Sequence, residues 1–500
     1  MSAQPAVLFV STEVYPFAKT GGLADVSAFL PKALRARGCD IRIVMPKFRG
    51  IEERFGHLLR QEAAFPLAFA GRTTDCVVQS VRFGDNFVYL IDAPHYYDRE
   101  RLYDYEDEME RFVFFSLAAL EALPRLAFRP DIVHCNDWLT GFVPYFLQER
   151  YRQQDFFRNM RTIFTIHAML YQGVFHRDLT KRLLGVEWDT FAARGLGFYG
   201  QINCMKVGIL TADLVSTVSP SYAAEISKTS PLNIEPLTES LRSRRRSLTG
   251  ILNGIDPEAN DPSADPRLYA GYDAERPAGK AENKRRLQEA LGLPVRSDVP
   301  VVAVVSRLEI TKGLYLIEKS YHELLKDDLQ FIVVGDGIPY YDHLFRTMQE
   351  AFPNRMRYLP YDETSAYRTY AAADLFLMPS YTEACGISQL IGMRYGAVPI
   401  IRETGGLRDT VEPYDPVRGT GTGFAFKYAS QWVMLDAVRR AIEVYRRPDE
   451  WRSLTYRAMT HPVGWEQSTE QYLKLYTRAV QLPALQRQSD AQGQEIPQSF

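Results

Sequence analysis

The sequence predicts an α/β protein with two nucleotide-binding-type domains, and two observations support this fold class. The string Thr-Gly-Gly-Leu occurs twice, at residues 20–23 and 404–407, each time between a strand-like and a helix-like segment. A Gly-Gly turn in that place lets backbone N–H groups approach a ligand, and the helix N-terminus behind it favours negative charge. Both halves of the chain also alternate strand-like and helix-like segments. The two turns therefore predict two domains that face one anionic ligand.

The first domain is predicted from five apolar, β-branched segments with turn residues at their ends. They lie at residues 6–12, 40–46, 131–136, 161–167 and 213–219. Continuous apolar strands of this kind are typical of a parallel sheet buried on both faces. Two more strand-like runs between residues 77 and 93 flank Gly84-Asp85-Asn86, which predicts a hairpin inserted in the parallel pattern.

The second domain is predicted to begin after residues 253–256, where a Pro-, Asp- and Ala-rich stretch interrupts the periodicity. A charged helix at residues 280–291 comes first, and five strands follow at residues 299–307, 329–335, 356–360, 374–379 and 397–401. Residues 431–446 and 448–480 predict terminal helices, the second of them interrupted near Pro462. The Gln- and Ser-rich residues 481–500 predict a disordered tail.

Composition excludes several classes of protein. The 500 residues are 46% hydrophobic and 24% charged, with a formal net charge of -2, so no basic surface for nucleic acid is predicted. The apolar runs are shorter than the roughly 20 residues that span a bilayer, and the N-terminus does not resemble a secretory signal. The five cysteines are scattered without metal-type spacing, which predicts reduced thiols in a cytoplasmic protein.

The first Gly-Gly turn carries a lysine directly in front of it. Lys19 with Gly21 and Gly22 differs from a Walker loop, in which the lysine follows the second glycine. At the mouth of the turn, the ammonium group could meet a phosphate oxygen as a point charge. A solvated lysine beside a structural turn is an equally good interpretation of this motif alone. The second turn has Glu403 in the same place.

Two cations follow the first predicted strand of the second domain. In an open α/β sheet, ligands bind beyond the carboxyl ends of the strands, so Arg307 and Lys312 are placed to neutralise a diphosphate without a metal ion. Alone, two surface cations near a helix start are weak evidence. The sequence contains no clustered Asp/His metal-ligand motif, which makes metal-free neutralisation more plausible.

Five further side chains follow predicted strands, and each has a simpler alternative. Glu383 could bind sugar hydroxyls or stabilise positive charge, whereas Cys385 is interpreted as a buried thiol rather than a nucleophile. Tyr361 could stack on a nucleobase or simply pack. His167 could contact a ligand with its ring or its carbonyl, or be structural. Asp137 could bind an acceptor or cap a helix.

Taken together, these strings resemble bacterial glycogen synthases and plant starch synthases. The matching pieces run in the family's order and cover the chain to about Tyr476. They are residues 19–26 (KTGGLADV), 136–138, 165–167, 171–173, 199–203, 252–256, 306–308 with Lys312-Gly313, Glu383 with Cys385-Gly386, and 404–407.

The resemblance implies two Rossmann-like domains around a deep cleft, the GT-B architecture, with the final helix crossing back to the first domain. The implied parts are an N-terminal acceptor-side domain at 1–253, a nucleotide-sugar-binding domain at 254–455, a returning helix at 456–480 and the tail at 481–500. The implied activity is retaining transfer of glucose from ADP-glucose to the non-reducing 4-OH of an α-1,4-glucan. No cofactor, metal ion, nucleic acid or membrane is expected, and the oligomeric state stays open.

The resemblance also implies roles for individual residues. Lys19 contacts the donor, Arg307 and Lys312 hold its diphosphate, Glu383 binds the glucose, and His167 lies beside the reacting carbon. The remaining implied donor contacts are Gly21, Gly22, Asp25, Tyr361 (near adenine), Cys385, Gly386, Thr404, Gly405 and Gly406. Tyr97 and Asp137 are implied on the acceptor side.

Several positions depart from the family pattern, and they affect the sugar pocket and the acceptor loop. They are Ala168, Gly197, Thr382, Ala384, residues 259–260 and the glycine-poor residues 230–241. Two alternatives to the implied activity therefore stay open. One is a related transferase that uses UDP-glucose or a small acceptor, and the other is a weakly active glucan-binding paralogue.

Overall fold

A computed structural model of the protein describes residues 4–228 and 235–483. It confirms the predicted class, with two α/β domains, each built on a largely or wholly parallel sheet. The predicted disordered tail lies outside the described residues from residue 484 onward, as does part of the glycine-poor segment, residues 230–234. Among the residues that are described, no helix is long and apolar enough to cross a membrane.

The first domain contains a large mixed sheet and a small antiparallel one. Within the described residues, the large sheet has nine strands in the order β12-β11-β7-β6-β1-β2-β5-β4-β3, and the small one has the order β8-β10-β9. The strands are β1 Val7–Val10, β2 Ile41–Pro46, β3 Arg60–Phe69, β4 Arg72–Phe83, β5 Asn86–Asp92, β6 Ile132–Asn136, β7 Arg161–Ile166, β8 Val174–His176, β9 Gly197–Phe198, β10 Gln201–Asn203, β11 Leu214–Thr217 and β12 Leu248–Gly250.

Strand β1 lies at the centre of this sheet and pairs in parallel with β2 and β6. All of its residues are buried, as expected for a strand covered by helices on both faces. The predicted hairpin is confirmed, because β4 and β5 pair antiparallel around Gly84, whose φ of 55° suits a tight turn. Strand β3 was not predicted. It forms the sheet edge, where Pro66 is tolerated because one side of the strand needs no ladder hydrogen bonds.

The helices of the first domain cover both faces of its sheet. Helix α1 begins at Gly22, the second glycine of the first Gly-Gly turn, and α4 is buried along nearly its whole length. The helices are α1 Gly22–Ala36, α2 Ile51–Phe55, α3 Pro94–Tyr97, α4 Glu108–Ala122, α5 Phe142–Phe146, α6 Trp188–Ala193, α7 Cys204–Thr211, α8 Pro220–Ile226 and α9 Glu235–Ser243. Short 3-10 or π turns lie at Gly56–Leu58, Leu123–Arg125, Trp138–Thr140, Leu147–Tyr151 and Thr180–Leu184.

The second domain has a parallel sheet in the order β15-β14-β13-β16-β17-β18. All five predicted strands are present, and only the three-residue β18 was missed. The strands are β13 Val301–Val305, β14 Gln330–Val334, β15 Met356–Leu359, β16 Leu375–Met378, β17 Val398–Arg402 and β18 Phe424–Phe426. The helices are α10 Ala278–Ala290, α11 Leu314–Leu324, α12 Pro339–Ala351, α13 Glu363–Ala372, α14 Ser388–Arg394, α15 Gly405–Thr410, α16 Gln431–Tyr445 and α17 Pro448–Thr460, with a 3-10 turn at Ile310–Lys312.

The last helix, α18 (Glu466–Gln481), returns to the first domain. The break between α17 and α18 confirms the predicted interruption near Pro462. Tyr476 on α18 is fully buried, and its hydroxyl lies 2.9 Å from Nδ1 of His134 in β6. Nε2 of His134 lies 2.6 Å from Oγ1 of Thr165 in β7. Burial lowers the pKa of His134 to about 3, so this buried chain of hydrogen bonds is uncharged.

The chain passes between the domains twice, after β12 and again between α17 and α18. The two passages touch, because the N–H of Ile255 donates to the carbonyl of Val463 at 2.8 Å. A Cβ atom on Gly254 would lie 2.5 Å from the carbonyl carbon of Gly464. Only glycine permits this close approach, so the two passages form one compact connection between the domains.

The bond between Tyr476 and His134 predicts a stability effect. Tyr476→Phe removes the hydroxyl and leaves a buried ring nitrogen without its partner, which should lower the free energy of unfolding by about 1–3 kcal/mol. Urea denaturation followed by circular dichroism measures this. Lys474→Ala on the exposed face of the same helix is the control and should unfold like the wild type. An unchanged midpoint for Tyr476→Phe would contradict this account of how α18 is held.

Candidate functional site

A cleft of about 1970 Å³ lies between the two sheets, at the carboxyl ends of their central strands. Both domains line it, as expected for ligand sites in parallel sheets. The sequence-predicted residues that line the cleft are Lys19, Gly21, Gly22, Asp25, Asp137, His167, Arg307, Lys312, Tyr361, Glu383, Cys385, Gly386 and Thr404.

The first Gly-Gly turn presents Lys19 to the cleft. Its Nζ lies 2.8 Å from Oδ1 of Asp25, and 41% of its side chain is exposed. Burial acts to lower the pKa of Lys19, but Asp25 outweighs it, so the pKa is raised and the ammonium group stays charged. The backbone N–H groups of Thr20 and Gly21 donate to the carboxylate of Glu13 at 2.5 and 3.2 Å. Glu13 therefore fixes the backbone in front of helix α1, next to Lys19.

His167 and Asp137 meet at the ends of the neighbouring strands β6 and β7. Oδ1 of Asp137 accepts a hydrogen bond from the backbone N–H of His167 at 3.0 Å. Nδ2 of Asn136 donates to two carbonyl oxygens, so its Oδ1 faces Nε2 of His167 at 3.0 Å and accepts a hydrogen bond from the Nε2–H group. Burial lowers the pKa of His167 to about 4 and raises that of Asp137 to about 7. The imidazole is therefore a neutral ring with a fixed orientation at pH 7.

The two predicted cations of the second domain lie just beyond β13. Nζ of Lys312 is 2.7 Å from Oε2 of Glu383, and Arg307 pairs with Glu309 at 2.9 Å. Gly313 has a φ of 65°, and a Cβ atom there would lie 1.9 Å from the carbonyl oxygen of Pro379. The turn that carries Lys312 thus packs directly on the segment that carries Glu383.

The second Gly-Gly turn lies behind Glu383. The N–H of Gly406 is 3.1 Å from the carbonyl oxygen of Glu383 and 3.2 Å from that of Ala384. A Cβ atom on Gly405 would lie 1.9 Å from the Glu383 carbonyl oxygen, and its φ of 43° also favours glycine. Gly405 and Gly406 therefore support the Glu383 segment from behind, and Gly405 additionally donates its N–H to Glu225 at 2.8 Å.

Cys385 follows Glu383 and is almost fully buried. Its Sγ lies 3.4 Å from the backbone N–H of Asn253, at the first passage between the domains. Burial raises the pKa of this thiol to about 12, so a thiolate is scarce at pH 7. This geometry favours the predicted buried thiol over a nucleophile. Gly386 beside it has a φ of 76°, which glycine accommodates without strain.

The structure corrects the prediction for Tyr97. This residue is fully buried at the end of α3, and its hydroxyl donates to the carbonyl of Arg111 in α4 at 3.1 Å. It does not line the cleft, because the aromatic residues of α3 pack into the core. Tyr103 lines the cleft instead, with its hydroxyl 3.0 Å from Oε1 of Glu13. The sequence signal that could have identified Tyr103 is its position six residues after Tyr97, in a segment without strand or helix periodicity.

Aromatic side chains stand on both walls of the cleft. Tyr361 in the second domain is 51% exposed, which leaves its ring free to stack on a flat ligand. Tyr171 in the first domain reaches across the mouth, and its hydroxyl lies 3.3 Å from Oε1 of Glu309. The sequence analysis did not assign Tyr171, Glu13 or Glu225 to the cleft. The two glutamates belong to no recognisable motif.

The assembled groups suit an anionic leaving group. Lys19 lies on the wall formed by the first domain, Arg307 and Lys312 lie on the wall formed by the second, and Glu383 lies beside Lys312. Preorganised cations of this kind stabilise charge that develops on a diphosphate. Across residues 4–228 and 235–483, no cluster of three or more His, Cys, Asp or Glu side chains has the arrangement of a metal site.

Comparisons with known proteins agree with the resemblance predicted from the sequence. Residues 6–240 match the family model described as the starch synthase catalytic domain, and residues 289–457 match glycosyl transferases group 1. The glycogen synthase of Geobacillus thermodenitrificans (strain NG80-2) is 42% identical, over 95% of this chain and 98% of that protein. The glycogen synthase of Bacillus subtilis (strain 168) is 41% identical, over 94% and 97%.

A solved structure is similar over nearly the whole chain. The catalytic domain of starch synthase IV from Arabidopsis thaliana, bound to ADP and acarbose, superimposes with a TM-score of 0.88. It is 32% identical, and the match covers 96% of this chain and 100% of that one. A sucrose-phosphate synthase from Thermosynechococcus elongatus, 17% identical with a TM-score of 0.60 over 95% of this chain and 99% of that chain, shares the fold alone.

Proposed function

We propose a reaction for this chain from one premise: the chain belongs to the glycogen synthase family. It transfers glucose from ADP-glucose to the non-reducing end of an α-1,4-glucan with retention of configuration, in the cytoplasm and without a metal ion. The observation that carries the proposal is the convergence of Lys19, Arg307 and Lys312 on one cleft beside Glu383. The ADP bound to the similar starch synthase IV supports an adenine nucleotide as the leaving group.

The cations act on the leaving group. Departure of a nucleoside diphosphate concentrates negative charge on its phosphates, and Lys19, Arg307 and Lys312 stabilise that charge without reorganising. Lys312 is paired with Glu383, so both side chains are already held in place at the cleft. On donor binding, the diphosphate supplies new acceptors for the Lys312 ammonium group. The carboxylate of Glu383 is then available for the sugar hydroxyls.

His167 lies on the face of the donor glucose opposite the departing diphosphate. The developing sugar cation is repelled by positive charge, and burial keeps the imidazole of His167 neutral at pH 7. The ring is also fixed by Asn136, so its position is set before substrate binds. Retention without a carboxylate nucleophile on that face favours internal return, in which the acceptor hydroxyl attacks from the side that the diphosphate leaves. Closure of the cleft excludes water, which limits hydrolysis of the donor.

The donor assay tests this reaction. Purified protein is incubated with radiolabelled ADP-glucose and glycogen, with and without EDTA, and label in the polymer is counted. We expect incorporation that EDTA leaves unchanged and that a tenfold excess of unlabelled UDP-glucose lowers only slightly. Absence of incorporation under conditions where a known glycogen synthase is active would overturn the proposal.

The same assay separates the two alternatives. Strong competition by UDP-glucose, or label recovered only in short oligosaccharides, would favour the transferase with another donor or a small acceptor. Retained glycogen binding with negligible turnover would favour the weakly active paralogue. The substitutions Ala168, Thr382 and Ala384 motivate that second alternative. The intact set of charged groups in the cleft supports an active enzyme instead.

Two variants test the residue roles. Lys19→Ala and Glu383→Ala should each lower turnover by about 100-fold or more, because each removes a charged contact to the donor in a site that excludes water. The surface pair Lys326 and Glu323 supplies matched controls, since Lys326→Ala and Glu323→Ala remove the same charges outside the cleft. Steady-state kinetics with ADP-glucose measures all four variants. Unchanged turnover in Lys19→Ala or Glu383→Ala would remove that residue from the proposed site.

A further inference from the structure

Two short helices, α8 of the first domain and α15 of the second, are joined by reciprocal hydrogen bonds to each other's carboxylates. Asp409 on α15 accepts hydrogen bonds from the backbone N–H and the hydroxyl of Ser221 on α8, at 2.8 and 2.6 Å. In return, Glu225 on α8 accepts from the N–H of Gly405 at 2.8 Å and from Oγ1 of Thr404 at 3.3 Å. Each helix thus supplies the carboxylate that satisfies the first residues of the other, and four hydrogen bonds join the domains at this point.

Helix α8 also contacts both halves of the proposed reaction centre. The hydroxyl of Tyr222 accepts from the backbone N–H of Met169, two residues after His167, at 3.1 Å. Oγ of Ser219 donates to the carbonyl of Ala384, the residue after Glu383, at 2.6 Å. The helix therefore touches the segment that carries His167 on one side and the segment that carries Glu383 on the other.

Glu225 is connected to Glu383 through a single residue, Gly405. Gly405 is the residue whose missing side chain lets the Glu383 carbonyl oxygen approach, to 1.9 Å from where a Cβ atom would stand. Glu225 accepts a hydrogen bond from the N–H of this same glycine. The Glu225 carboxylate thus contacts Gly405, and Gly405 contacts the backbone of Glu383. No flexible side chain lies between the glycine and the Glu383 backbone.

We propose that Glu225 is a positioning residue: it acts across the domain boundary, through Gly405, to fix Glu383 relative to His167. The inference rests on the proposed function, because it assigns Glu225 a part in that glucosyl transfer. A displacement of about 1 Å at a reacting group costs on the order of 100-fold in rate, so a positioning role is visible in kcat.

Asp409 gives a matched control for Glu225. Asp409→Ala removes two hydrogen bonds between the same two helices, as Glu225→Ala does, but leaves the contact between Glu225 and Gly405 in place. A role limited to holding the helices together predicts equal losses in the two variants. The positioning role predicts that both variants lose similar thermal stability, whereas kcat falls 10- to 100-fold further in Glu225→Ala. The KM for ADP-glucose stays within threefold, since the diphosphate contacts are untouched.

Two conservative variants sharpen the comparison and guard against misfolding of the alanine variant. Glu225→Gln keeps an oxygen that accepts from Gly405 and should restore kcat to within about fivefold of the wild type. Glu225→Asp keeps the charge but is one methylene too short to reach Gly405, and should stay as slow as the alanine variant. The opposite order, or a kcat for Glu225→Ala equal to that of Asp409→Ala, would overturn the positioning role. An inactive wild-type enzyme would instead overturn the proposed function and this role together.

Discussion

The ion pair between Lys312 and Glu383 is the contact on which the cleft depends. Both side chains are largely buried, with 18% and 12% exposed, and two charges removed from water must be paired closely to be tolerated. Gly313 lets the turn that carries Lys312 pack on the Pro379 carbonyl, and Gly405 lets the second Gly-Gly turn pack on the Glu383 carbonyl. The glycines of both turns thus serve one purpose, which is to hold a cation and a carboxylate at the ligand edge of the sheet.

The two Thr-Gly-Gly-Leu turns have the same sequence and different functions. In each, a glutamate of the protein accepts a hydrogen bond from a backbone N–H group: Glu13 accepts from Thr20 before the first helix, and Glu225 accepts from Gly405 at the start of the second. Glu13 holds the first turn so that Lys19 faces the cleft, whereas Glu225 holds the second turn against the back of the Glu383 segment. The two turns therefore lie on two walls of one cleft: the first presents Lys19, and the second supports the segment that carries Glu383.

Much of this arrangement follows from the sequence because parallel strands bring their carboxyl ends to one edge. The rule placed Arg307 and Lys312 correctly beyond β13, although their separate contacts could not be seen. Local sequence patterns could not predict which side chains are buried and which line the cleft, because tertiary packing determines this. Tyr97 and Tyr103 lie in similar polar and aromatic surroundings in the sequence, and only the fold buries the first and exposes the second to the cleft. The contacts of Glu225 depend on how two domains meet, which no periodicity encodes.

The central claim is that the cations of the cleft bind a diphosphate, and calorimetry with ADP and AMP tests it most directly. The two nucleotides share adenine and ribose and differ by one phosphate. The account predicts that ADP binds at least about tenfold more tightly, or about 1.4 kcal/mol, and that Lys312→Met abolishes most of this difference while leaving the AMP affinity unchanged. Equal affinities for ADP and AMP in the wild type, or a variant that weakens both nucleotides equally, would contradict it.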